Sequence, residues 1–84
     1  MPYIKPELRY KLDNIVCAMK EAGIRADGDL NYILYAYCLR NITPGYANYK
    51  NYCGELRECA NEIARRLTAS YEDKKIEENG DVDE

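Results

Sequence analysis

Lys50, Gly54, Arg57, Asn61 and Arg65 recur at i, i+4, i+7, i+11 and i+15, the spacing that places side chains along one row of a helix. Such a row can hold an anion. Guanidinium and ammonium groups pair with phosphate or carboxylate, and a glycine lets a ligand approach the backbone closely. The neighbouring row, Glu55, Glu58, Glu62 and Arg66, is mostly acidic. The plainer reading is a solvated face laced by helix pairs such as Glu62 to Arg66, each worth about a few tenths of a kcal/mol.

Tyrosine supplies all nine aromatic residues, with no Phe and no Trp. A buried Tyr hydroxyl needs a polar partner, so a chain that uses Tyr in place of Phe is fitted to wet, interfacial or pocket-lining surfaces. Tyr32, Tyr35, Tyr46, Tyr49 and Tyr52 lie to either side of one turn, with Arg40 and Lys50 close by in sequence. Aromatic faces stack on nucleobases while cations hold phosphate. The competing reading is an oligomer interface, which Tyr also favours. Together the two features define a candidate ligand-binding set: Tyr32, Tyr35, Arg40, Tyr49, Lys50, Arg57 and Arg65.

Other chemistries lack their residues. The chain has no histidine, and so lacks the commonest general base. Glu58 and Glu62 share a helical face, but no pattern points to a desolvated pocket that would tune either carboxyl. No glycine-rich phosphate loop and no G-x-S-x-G occurs. We therefore expect no enzyme, no catalytic residue and no cofactor. Cys17, Cys38, Cys53 and Cys59 form no C-x-x-C pair, so no metal site is expected, and buried free thiols are the default.

Three helices must position these side chains. Pro6 suits a first helical turn; Leu8, Leu12, Ile15, Val16 and Met19 then form one stripe, and Gly23 stops it, giving a helix over 6–22. Asp27 is a good N-cap for a second helix over 28–41. That helix is apolar nearly all round, with Leu30, Ile33, Leu34, Tyr37 and Cys38 on one side and Tyr32, Tyr35, Ala36 and Leu39 filling much of the rest. Such a helix needs cover on more than one side. Two helices supply one side, and another copy of the chain is the natural cover for the remainder. Thr43 and Pro44 open a third helix over 44–70, whose stripe runs from Tyr49 to Leu67. The expected fold is all-α, a small three-helix domain (residues 1–71) that is homo-oligomeric and carries an acidic tail (72–84).

Eighty-four residues make one small domain that buries only about 60% of its unfolded surface. Its net charge of −3 is unevenly spread: residues 1–71 hold ten Lys/Arg against eight Asp/Glu, whereas residues 72–84 hold two against seven. The acidic tail and the glutamates of the last helix repel phosphate, so DNA binding is not expected. The start is polar and no run approaches the ~18 apolar residues of a membrane span, so a cytoplasmic location is expected. In the tail, Asn79-Gly80 is a strong hairpin signal. Folding about it would set Ile76 and Val82 on opposite faces, so a free-standing hairpin is disfavoured. We expect residues 71–76 to dock and the end beyond Glu78 to be mobile.

The segments MPYIKPELR, AGIRADGDLNYIL, ECANEIARR and YEDKKIEENGDV resemble those of an uncharacterised family of small proteins encoded by bacteriophages, prophages and bacteria. The resemblance spans nearly the whole chain and carries no catalytic residue with it. Two positions depart from the pattern: Ser70 stands where proline is expected before Tyr71, and DVDE ends the chain where an aromatic is expected soon after Val82. What the resemblance implies is a small phage protein acting on host machinery. One such class sequesters nucleotide immune signals in pockets between protomers. Three functions are then in play: a homo-oligomeric sponge for a nucleotide-like small molecule, an interaction module that inhibits or bridges a host protein, and a structural phage component.

Overall fold

A computed structural model describes residues 4–82. Helix accounts for 81% of the described residues, and none of them lies in a strand. A 3₁₀ turn, Pro6–Leu8, leads into α1, Arg9–Glu21; α2 spans Gly28–Asn41 and α3 spans Tyr46–Ile63. A π-helical turn, Ala64–Thr68, joins α3 to α4, Ala69–Asn79. The chain divides into two compact units, residues 2–50 and 51–84. The first holds the 3₁₀ turn, α1, α2 and the opening of α3. The second holds the rest of α3, the π turn and α4.

Local signals account for most boundaries. Gly23 adopts φ +68°, a region that costs other residues Cβ strain. Its N–H donates to the Lys20 carbonyl at 3.0 Å and the Ile24 N–H donates to the Met19 carbonyl at 3.4 Å. This pair of bonds satisfies the last carbonyls of α1 in a Schellman stop. At the start of α2 the Asp27 carboxylate accepts from the Asp29 N–H at 3.2 Å. The Asp29 carboxylate in turn accepts from the Arg25 N–H at 3.1 Å and from its guanidinium at 3.2 Å. The segment RADGD is thus a charged clasp that holds the helix entry.

The third helix differs from expectation at both ends. It begins at Tyr46 rather than at 44, because Gly45 takes φ +154° and cannot belong to a helix. Thr43 does not cap it with its side chain; its carbonyl accepts from the Asn48 amide at 2.9 Å. Nor does helix end at 70. Through the π turn it runs on to Asn79, so residues expected to form a docked or solvated tail are helical. The Asn79-Gly80 pair is a helix stop, with Gly80 at φ +80° and its N–H donating to the Ile76 carbonyl at 2.8 Å. Of the end expected to be mobile, Asp83 and Glu84 lie outside the described residues.

Burial is slight. Ala36, 9% exposed, is the one buried residue among those described. In the first unit Met19, Ile24, Leu30, Ile33, Leu34 and Cys38 are half-buried. The expected stripe of helix one is otherwise open: Leu8, Leu12, Ile15 and Val16 are all exposed. A stripe records which side of a helix avoids water, not what covers it. The thiols follow suit. All four are free, but Cys17, Cys53 and Cys59 are exposed and only Cys38 is half-buried, so the expectation of buried thiols is corrected.

Candidate functional site

The candidate residues fall on both units. Tyr32, Tyr35, Arg40, Tyr49 and Lys50 belong to the first, Arg57 and Arg65 to the second. On α2 the side of Leu30, Ile33, Leu34 and Cys38 is half-buried, and the opposite side presents Tyr32, Tyr35 and Leu39 to water. Tyr32 is 63% exposed and Tyr35 67%. The Arg40 guanidinium donates to the Tyr32 hydroxyl at 3.3 Å. Ala36 lies one turn from each, so this bond arches over the strip that holds the one buried residue among those described. Two turns of helix thereby carry a planar cation held on the hydroxyl of one exposed tyrosine.

The opening of α3 repeats the theme. The Lys50 ammonium lies 5.9 Å from the centre of the Tyr46 ring, at the outer edge of a cation–π contact. Tyr46 is exposed and so is Tyr49. Where an ammonium rests on a ring, its charge is positioned without being neutralised by a carboxylate.

In the second unit the basic row is differently used. Arg65, in the π turn, pairs with Glu62 one turn before it, and the Glu62 side chain is only 10% exposed. The sequence pointed to Arg66 as the partner of Glu62. Both spacings, i+3 and i+4, bring side chains together on a helix, and here Glu62 takes the nearer arginine. Arg57 is exposed on α3, and Gly54 has open space where a Cβ would stand. Lys75 on α4 lies 5.6 Å from the Tyr71 ring and 3.3 Å from the Glu78 carboxylate.

Sequence reasoning missed the Arg25–Asp27–Asp29 clasp and the Arg40–Tyr32 bond. Both had a signal in hand. Arginine four residues before aspartate at a helix start puts the groups within reach, and Tyr32 and Arg40 share a strip, though two turns apart they meet only because both side chains are long. Among the described residues no cluster of three Cys, Asp or Glu is placed to hold a metal ion, and no helix is long and apolar enough to cross a membrane.

The fold and this surface define an all-helical protein that presents tyrosines and cations outward. The chain belongs to the family described as Domain of unknown function (DUF6899), whose model matches residues 1–82. Compared with curated proteins and with solved structures, it matches none.

Proposed function

We propose that this chain is a non-enzymatic, self-associating phage protein that acts in the host cytoplasm and sequesters a small anionic, nucleotide-derived ligand where its subunits meet. The observation that carries this reading is the exposed face of α2, with Tyr32 and Tyr35 open to water and Arg40 held on the Tyr32 hydroxyl. Large aromatic surface left in water has a free-energy cost that a partner or ligand removes. A base stacked on Tyr35 would place its phosphate toward the Arg40 fork, whose planar donors match phosphate oxygens. The phage setting rests on the resemblance of the chain's ends and middle to phage-encoded relatives.

Two measurements test it in order. Light scattering should give a mass above that of one 9.7 kDa chain. Thermal melts with cyclic nucleotides and ADP-ribose derivatives should then show at least one that stabilises the protein. Ligand at 100 times Kd adds about 2.7 kcal/mol, a shift of about 10 °C or more in a domain of this size. A monomer, or a melt that none of these ligands moves, sinks the reading.

A further inference from the structure

α1 is organised by charge as well as by apolarity. Leu12, Ile15 and Val16, with Leu8 a turn earlier, form a strip whose members are 47% to 62% exposed. At 3.6 residues per turn, Lys11 and Lys20 fall about 90° to either side of this strip, with Arg9 just inside the second edge. Glu7, Asp13 and Glu21 lie farther round. The open apolar strip is therefore bordered by cations on both sides, which fits an acidic amphipathic helix.

The chain carries an acidic helix itself. Residues 2–50 hold seven Lys/Arg against five Asp/Glu, a net +2, whereas residues 51–84 hold five against ten, a net −5. α4 exposes Tyr71 and Ile76, with Glu72 lying between them around the helix and Asp73 beyond. Of its two lysines, Lys75 is engaged with Glu78 and the Tyr71 ring, and Lys74 lies about 60° round from Tyr71 on the side away from Ile76.

We propose that α4 of one copy seats on the α1 strip of a second copy, and that the second copy returns the contact. Each chain has one strip and one acidic helix, and a reciprocal, two-fold pair of contacts uses both. Removal of Tyr71, Ile76, Leu12 and Val16 from water supplies the affinity, and the bordering lysines select the partner and its direction. This inference rests on the self-association proposed above and specifies which surfaces make it.

Charge reversal on full-length protein tests it. One variant carries Lys11→Glu with Lys20→Glu; the other carries Glu72→Lys with Asp73→Lys. Each alone opposes like charges at both contacts, so each should dimerise at least about tenfold more weakly by sedimentation equilibrium. Mixed in equal amounts they should recover dimers, because both contacts of the mixed pair are again complementary. This rescue also shows that each variant folds. The wild-type dimer should loosen as salt rises from 0.05 to 0.5 M, as screening requires. Dimers that survive in either variant alone, or two weakened variants that do not rescue each other, overturn this interface while leaving self-association standing. A wild-type monomer overturns both proposals, and a monomer that sediments with phosphatidylserine vesicles identifies α1 as a membrane-surface helix instead.

Discussion

The Arg40 guanidinium donates to the Tyr32 hydroxyl at 3.3 Å, and Ala36, the one buried residue among those described, lies midway between them on α2. Both partners are exposed, so the bond contributes little to stability. What it contributes is position: an arginine with many rotamers is held on the Tyr32 hydroxyl. We expect Arg40→Ala to lower the melting temperature by no more than a few degrees, about 0.5 kcal/mol. It should weaken binding of a nucleotide-derived ligand about tenfold, as loss of a charge-assisted hydrogen bond does. Arg40→Lys should not restore it, because an ammonium lacks the planar fork. Calorimetric titration beside thermal melts separates the two effects, and a large loss of stability with binding intact would make the pair structural.

Two glycines should respond with opposite sign. Gly23 holds φ +68° with open space around its missing Cβ, so Gly23→Ala carries backbone strain and nothing else. We expect a loss of about 1–2 kcal/mol. Gly54 stands inside α3 with equally open space, so Gly54→Ala should gain about 0.5–1 kcal/mol. Denaturant titrations followed at 222 nm would show both. If Gly54 serves close approach by a ligand or a partner, the same variant will be more stable yet bind less well.

Cys17 and Cys38 belong to the same unit but differ in access, the first exposed and the second half-buried. Cys17 also lies on the side of α1 away from the Leu12–Val16 strip, so the proposed dimer leaves it open. Brief alkylation of native protein should therefore label Cys17 several-fold faster than Cys38, because a thiol must be reached by solvent before it reacts. Peptide mass spectrometry reads the ratio. Equal rates would mean that α2 opens as fast as the reagent attacks.

Residues 72–84 were expected to split between a docked stretch and a mobile end, yet Glu72–Asn79 continues the helix. Deleting 72–84 should lower the total helical ellipticity by the share of those eight residues. A tail of irregular structure would leave the total nearly unchanged. The deletion should also weaken the dimer, since it removes Ile76 and the acids of α4.

The boundaries of α1 and α2 were legible because they are set by chemistry within one turn of the chain. Asp27 supplies an acceptor for an orphan N–H, and Gly23 alone tolerates the left-handed stop that closes α1. The end of α4 was not legible for a related reason. Asn-Gly serves a hairpin and a helix stop equally well, since both need a glycine at positive φ. Which one forms depends on whether the preceding residues are already helical. The π turn left no mark in the apolar spacing up to Leu67; Glu62 can reach Arg65 at i+3 or Arg66 at i+4 on any helix, so spacing alone did not choose between them.

By itself, then, the sequence determined an all-helical chain, the stop of its first helix and the cap that starts its second, and a mildly basic body (1–71) followed by an acidic end (72–84). These are local or additive properties, set by neighbouring residues and by counting charges. Only the tertiary structure decided which apolar stripes are shielded. It leaves Leu12, Val16, Tyr32 and Tyr35 in water and buries Ala36 alone among the described residues. Burial depends on what a face meets in space, and a stripe on one helix holds no record of its partner.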